Sequence, residues 1–126
     1  MPDVHVYVNI LMREVRFYRL PSGRPPVERF LEGLPARLAQ KVTWVLGLVE
    51  DLDLVPRQYF KKLEGTGGLW EIRAGVGRET VRLLGFFDGP RLVILTHGFL
   101  KKSQRIPLGE IEIAERRKAD HLRRQR

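Results

Sequence analysis

The sequence predicts an α+β domain: an antiparallel or mixed sheet with two helices packed on one face and a basic helix at the C-terminal end. Three observations predict this class. Apolar residues alternate near the N-terminus, they recur at helical spacing through residues 27–52, and three strand-like runs follow, separated by glycine-containing turns. The 126 residues suit one domain over the whole chain, long enough to bury one core.

The chain begins with the period of a half-buried strand. Polar residues separate four apolar ones, which are Val4, Val6, Val8 and Ile10. Segment 1–12 is either an extra edge strand or an extension upstream of a start at Met12. A second strand is predicted over Glu14 to Leu20, where Pro21-Ser22-Gly23 ends it.

Two helices are predicted next. Pro25-Pro26 stands where a helix can begin, and apolar residues then repeat at helical spacing up to Leu34. Pro35 restarts the chain. A longer helix is indicated by apolar residues at steps of four and three: Leu38, Val42, Val45, Val49 and Leu52. Both apolar stripes are interpreted as core.

The second half predicts a three-strand antiparallel meander over Leu69–Ala74, Thr80–Phe87 and Arg91–His97. Glycine turns are expected at residues 75–77 and 88–90. Pro107 then opens a last helix, whose apolar stripe is thin, so we expect loose packing. Residues 119–126 either continue this helix or fray as a basic tail.

The chain is strongly basic, with a formal net charge of +8. Residues 101–126 hold nine basic and four acidic side chains. This surplus predicts a polyanionic partner, either nucleic acid or an acidic protein. The absence of cysteine excludes disulfides and thiolate metal sites. The first 20 residues lack a signal-peptide pattern, and no apolar run is long enough to span a membrane, so a cytoplasmic location without a membrane partner is expected.

Motifs for cofactor or metal chemistry are missing. The glycine-rich stretch 65–68 lacks the spacing and lysine of a phosphate-binding loop. His5, His97 and His121 are too scattered to predict a metal site. Neither serine, Ser22 or Ser103, has a histidine arrangement that indicates a nucleophile. No cofactor and no metal are therefore expected.

Several segments together resemble the HigB-like, phage-derived branch of the RelE superfamily, a group of type II toxins. The resemblance covers roughly residues 15–118. It is carried by Gly68-Leu69-Trp70-Glu71-Ile72-Arg73, by Val81-Arg82-Leu83-Leu84-Gly85-Phe86-Phe87, and most distinctively by His97-Gly98-Phe99-Leu100-Lys101-Lys102 with Pro107 after it. Phe60-Lys61-Lys62-Leu63 and Glu110-Ile111-Glu112-Ile113-Ala114 fit the flanking segments.

The resemblance implies a RelE-like fold and an endoribonuclease that degrades mRNA, often on the ribosome. It also implies a cognate antitoxin, often a helix-turn-helix protein. In such toxins the 2′-hydroxyl of the RNA attacks the adjacent phosphate without a metal. The protein must take a proton from the hydroxyl, stabilise charge at phosphorus and protonate the leaving oxygen. Basic residues can supply all three functions.

Arg82 is the first candidate for the phosphate clamp, because it is a permanent charge within an apolar strand. The alternative is a structural ion pair with Glu71 or Glu64. Arg73 lies on the neighbouring strand and forms a cationic site with Arg82 if the two share a face. A register slip of one residue would separate them.

Further catalytic candidates follow the last strand. Lys101 or Lys102 can orient or protonate the scissile group, and Arg105 can grip a flanking phosphate. His97 acts either as an acid or base or as a strand-end histidine bonded to backbone. The other residues expected to bind RNA are Lys61, Lys62, Arg116 and Arg117.

The proton-transfer residue stays open. Related toxins use a tyrosine or histidine near the C-terminal end. Here no tyrosine follows Arg105, and His121 lies far along the last helix. Tyr59 and Trp70 could stack on bases, although Trp70 is interpreted as core because it alternates with Ile72.

Two alternatives belong to other functional classes. One is a catalytically inactive relative that binds RNA, ribosome or antitoxin through the same basic surface. The other is a DNA-binding protein that inserts the basic C-terminal helix into a groove. The sequence before that helix lacks the turn and preceding helix of a helix-turn-helix, which counts against DNA binding.

Overall fold

The protein, described here over residues 11–125 from a computed structural model, has the predicted α+β class. Its elements, in chain order, are β1 (Glu14–Phe17), α1 (Pro26–Glu32), α2 (Ala36–Asp51), β2 (Phe60–Lys62), β3 (Leu69–Val76), β4 (Glu79–Asp88), β5 (Leu92–Leu100) and α3 (Leu108–Arg124). The strand predicted around Val4 to Ile10 lies outside the described residues.

The five strands form one sheet in the order β1-β5-β4-β3-β2. Strands β2 to β5 pair antiparallel, whereas β1 pairs parallel with β5, so the sheet is mixed. The parallel pairing follows from topology: α1 and α2 occupy the long connection between β1 and the later strands. The meander has one strand more than predicted, namely β2. The sequence pattern did not reveal this strand, because it has only three residues and its burial does not alternate.

Several boundaries differ from the prediction. Strand β1 ends at Phe17 instead of Leu20. Strand β3 continues through Val76, and Gly77, with a φ of 61°, makes the turn to β4. Gly adopts such a backbone without the steric cost that a side chain adds. Strand β5 runs to Leu100 instead of ending at His97, so His97 lies inside the strand. The backbone pairing with β4 extends further than the apolar pattern indicates.

The helices cover both faces of the sheet. Val27 of α1 and four α2 residues pack on one face, against Ile72, Ala74, Val81, Leu83, Val93 and Leu95. Ala114 of α3 packs on the opposite face, in a smaller cluster with Tyr18, Leu69, Leu84, Phe86 and Ile94. We call these the α2 face and the α3 face. Strand alternation then decides which strand side chains reach each helix.

Polar contacts attach α3 to the sheet. The Tyr18 hydroxyl donates to Asp120 over 2.6 Å, Arg117 donates to the Thr96 carbonyl over 3.0 Å, and His121 lies 3.0 Å from Asp88. These contacts supplement the thin apolar stripe that predicted loose packing. The helix continues to Arg124, through most of the predicted basic tail.

Candidate functional site

Arg73 and Arg82 share the α3 face. They are direct partners in the antiparallel register of β3 and β4, which runs without a slip from Leu69 opposite Phe86 to Val76 opposite Glu79. Directly opposed residues project to the same side of a sheet. The two arginines therefore share a face, which is the condition under which the sequence predicts a cationic site.

Arg82 is buried and paired. Its side chain is 3% exposed and its Nε lies 3.0 Å from Oε2 of Glu71, which is 1% exposed. The Nε–H bond does not point along this contact, so it is an ion pair without an aligned hydrogen bond. A terminal nitrogen of Arg82 also donates to the Gln104 carbonyl over 3.0 Å. Burial lowers the pKa of Arg82, and the Glu71 carboxylate opposes that shift.

A cleft of about 300 Å³ lies beside this pair on the α3 face. We call it the cationic cleft. Its charged lining residues are Lys61, Glu64, Glu71, Arg73, Arg82 and Arg105. Lys61 and Arg73 are half-buried, and Glu64 and Arg105 are exposed. Four cations against two carboxylates leave the cleft positive, so it can attract an anion such as a phosphate.

A second cleft of about 410 Å³ shares Arg82 and Arg105 with the first. Its walls are mostly apolar and include Phe99, Leu100 and Ile113, with Lys102 and Glu110 among its polar residues. The segment 101–107 thus contributes to both clefts. Lys101 donates from Nζ to Gln104 Oε1 over 3.3 Å, and Lys102 is exposed.

His97 lies under α3. Its side chain is 9% exposed, with Nδ1 3.0 Å from the Thr96 hydroxyl and Nε2 3.4 Å from Glu110 Oε1. Burial, with a further contribution from Arg117, lowers the pKa of His97 to about 4. The imidazole is therefore neutral at pH 7 and enclosed. This placement fits the structural alternative for His97, although its partners are side chains and not the backbone that was expected.

A β-bulge explains this position. His97 pairs with Leu84, but Leu95 pairs with the next residue, Gly85, so Thr96 is the extra residue in β5. The Thr96 hydroxyl donates to the Leu84 carbonyl over 3.1 Å. The bulge reverses the alternation, so Leu95 faces α2 whereas His97 pairs with a residue of the α3 face. Strict alternation from Leu95, without the bulge, would have placed His97 on the α2 face.

The remaining candidates lie apart from the cationic cleft. Arg117 is half-buried and bonded to the Thr96 carbonyl, and Arg116 is exposed on α3. Lys62 is exposed and lines a different hollow, with Trp70. Trp70 stacks on Phe60 with ring centres 4.6 Å apart, in agreement with its interpretation as core.

Two residues relevant to the site escaped the sequence reasoning. Glu64 appeared there only as an alternative partner of Arg82, but its carboxylate lines the cationic cleft. Trp44 lay in an apolar run, yet half of its side chain is exposed. The helical pattern offered a signal of this exposure. Trp44 lies one residue before the core residue Val45, so it does not belong to the buried stripe that repeats at steps of four and three.

Residues 11–125 contain no group of three or more His, Asp or Glu side chains that could hold a metal ion. Across the same residues, no helix is long and apolar enough to cross a membrane.

Comparison with known proteins identified a family and a similar solved structure. A search of curated proteins found no significant match. Among solved structures, the chain is similar to the archaeal RelE–RelB complex from Pyrococcus horikoshii OT3, with 23% identity, a TM-score of 0.46, and coverage of 75% of this chain and 99% of that chain. The family described as phage derived protein Gp49-like (DUF891) matches residues 29–119. This match spans more than half of the sequence, and the chain therefore belongs to the phage-derived Gp49-like family.

Proposed function

We propose that this chain is a RelE-superfamily toxin of the HigB branch, an endoribonuclease that cleaves mRNA on the ribosome and is neutralised by a cognate helix-turn-helix antitoxin. Membership of the Gp49-like family and the HigB-like segments support the proposal. The observation that carries it is the pairing of Arg73 with Arg82 beside a positive cleft.

In this proposal the accessible cations hold the scissile phosphate. Arg73 and Arg105 have the planar, permanently charged groups that bind phosphate oxygens in pairs. Arg82 is neutralised in part by Glu71, so its contribution is to hold the Gln104 carbonyl and to add to the positive field of the cleft. Arg73 therefore replaces Arg82 as the first candidate for the clamp.

The reaction requires no metal. The 2′-oxygen bonds to phosphorus, the bond from phosphorus to the 5′-oxygen breaks, and a cyclic phosphate remains. Glu64, an exposed carboxylate of the cleft, accepts the 2′-hydroxyl proton, and the Lys61 ammonium gives a proton to the departing 5′-oxygen. The arginines stabilise the charge that develops at phosphorus.

Two observations favour the inactive binding module. Arg82, the arginine within the resembling strand, is engaged with a buried carboxylate, and the lining residues of the cationic cleft include neither histidine nor tyrosine. A cleft of this kind can bind RNA without cutting it. DNA binding through α3 has less support, because Arg117, Lys118 and Arg124 donate to carbonyls of the same chain.

Cleavage in a reconstituted translation mix tests the function. The 5′ ends of the products are mapped with and without chelator, for the wild type, Arg73→Ala and the control Arg29→Ala. Arg29 is exposed on α1, whose core residue Val27 packs on the α2 face. We expect chelator-resistant cuts from the wild type and the control, and a loss of about 100-fold or more with Arg73→Ala. Intact mRNA with every variant, on free RNA and on ribosomes, would favour the binding module.

Glu64→Gln separates proton transfer from binding. The amide keeps the size of the side chain but cannot accept the proton. We expect slower cleavage by about 100-fold with unchanged affinity for RNA. Unchanged cleavage with this variant would remove Glu64 from the mechanism and leave the clamp in place.

A further inference from the structure

An aromatic pair on the α2 face of the molecule joins one exposed ring, Trp44, to one half-buried ring, Tyr59. Trp44 of α2 is 50% exposed, and its ring centre lies 5.6 Å from that of Tyr59, with the rings nearly perpendicular. The Lys41 ammonium lies 4.6 Å from the Trp44 ring centre and 6.0 Å from the Tyr59 ring centre. We call these three residues the Trp44 patch.

The hydrophobic core does not depend on the Trp44 ring. The other tryptophan, Trp70, packs between Phe60 and Phe87 and contributes to the core. Four other α2 residues, from Leu38 to Val49, fill the core. Trp44 thus presents a large ring to solvent beside a cation, which is the combination that stacks on bases of single-stranded nucleic acid.

The Trp44 patch continues into the proposed site. A hollow of about 300 Å³ is lined by Lys41, Tyr59 and Arg73, together with Gln58, Gly75 and Thr80. Arg73 also lines the cationic cleft, so one arginine borders both. Strand β2 begins at Phe60, and the Arg73 amide donates to the Tyr59 carbonyl over 2.9 Å. After Arg73, β3 has no partner on this side among the described residues and forms the edge of the sheet. A bound RNA strand can therefore pass around this edge from one face of the sheet to the other.

We propose that the Trp44 patch binds bases of the single-stranded RNA next to the bond that is cut. The proposal rests on the proposed function, since the cationic cleft holds the scissile phosphate. Lys41 and Arg73 attract the backbone between the two sites, and the Trp44 ring stacks on a base. An RNA strand fits this surface because it alternates phosphates with flat rings, as the surface alternates cations with aromatic side chains.

Tryptophan fluorescence tests the contact directly. In the 126-residue chain, Trp70→Phe leaves Trp44 as the only tryptophan, and excitation is chosen so that tyrosine is not excited. This protein is titrated with an unstructured RNA of about ten nucleotides, carrying a 2′-O-methyl group at each sugar so that it is not cut. We expect saturable quenching of Trp44 emission. A trinucleotide that fills only the cationic cleft should quench much less.

Affinity for this uncleavable RNA, and cleavage of an unmodified RNA of the same sequence, are then compared among variants. Trp44→Ala should weaken binding of the long strand by roughly 5- to 100-fold, and Trp44→Phe should restore most of it. Leu54→Ala is the matched control, because Leu54 is 86% exposed and carries no ring. Circular dichroism checks that each variant is folded.

The outcomes separate this inference from the proposed function. Cleavage by wild type with no quenching, and with equal affinity for Trp44→Ala, would overturn the inference and keep the ribonuclease. Quenching and Trp44-dependent affinity without cleavage would support RNA binding by the patch and contradict the enzyme. Unchanged emission at saturating RNA would overturn the inference and leave the ring available to a protein partner.

Discussion

Glu71 and Arg82 form a buried ion pair on adjacent strands, with 3.0 Å between Oε2 and Nε and almost no exposure of either side chain. This pair explains why an arginine can lie within an apolar strand. It also leaves Arg73, the register partner of Arg82, as the more accessible guanidinium of the two. The structural and the phosphate-binding roles thus belong to different arginines.

Loss of Glu71 should destabilise the fold strongly. Glu71→Ala leaves the Arg82 guanidinium buried without its carboxylate, and we expect the free energy of unfolding to fall by about 3–5 kcal/mol. Urea denaturation measures this change. Glu64→Ala is the matched control, since Glu64 is an exposed carboxylate of the same cleft and should change stability by less than about 0.5 kcal/mol. Equal effects of the two substitutions would contradict the structural role of the pair.

Stability should fall as pH decreases between about 6.5 and 4. The folded pKa of His97 is about 4, below the ordinary value of 6.5, so the unfolded chain binds the proton more readily. The stabilisation by neutral His97 is complete above pH 6.5 and is lost as pH falls toward 4. The shift corresponds to at most about 3 kcal/mol.

Denaturant midpoints at several pH values, for wild type and His97→Gln, measure this effect, and we expect a flatter slope in the variant. Asp120 contributes at lower pH, because the hydrogen bond from Tyr18 holds its pKa below the ordinary value of 3.8. A nuclear magnetic resonance titration that places the folded His97 pKa near 6.5 would refute the prediction.

RNA affinity should depend on salt through Arg73. Each cation that neutralises a phosphate of a single strand contributes about 0.7 to the slope of log affinity against log salt. We expect Arg73→Ala to reduce the slope by about that amount and Arg29→Ala to leave it unchanged. Affinities of an uncleavable RNA between about 50 and 200 mM salt provide the measurement. An identical slope in both variants would place the phosphate elsewhere.

Two glycines should respond in opposite ways to alanine. A Cβ at Gly98 would lie 2.5 Å from Leu83 Cδ2 and 2.7 Å from Phe30 Cδ2, so Gly98→Ala should destabilise the fold by about 1–3 kcal/mol. A Cβ at Gly47 meets no atom within 4 Å, and Gly47 lies inside α2. Gly47→Ala should therefore stabilise by about 0.5–1 kcal/mol. Thermal unfolding of both variants compares the signs, and a stabilised Gly98→Ala would show that α1 packs less tightly on β5.

Several elements were predictable because their signals are local. The α2 stripe from Leu38 to Val49 matches the helical period, and the turn at Asp88-Gly89-Pro90 separates two apolar strands as expected. The α+β class and the basic character of α3 also follow from the order of residues. Period, turn composition and charge are properties of neighbouring residues, so the chain determines them before it folds.

Other features depend on contacts between distant segments, and only the tertiary structure decided them. The register of β3 and β4 placed Arg73 opposite Arg82, and Arg82 is buried in an ion pair with Glu71. A single bulge at Thr96 decided the face of His97. The packing of α2 on the sheet left Trp44 half exposed beside Tyr59. The sequence by itself determined the elements and their chemistry, whereas the pairing of strands decided which side chains meet, because a shift of one residue sends every side chain to the opposite face.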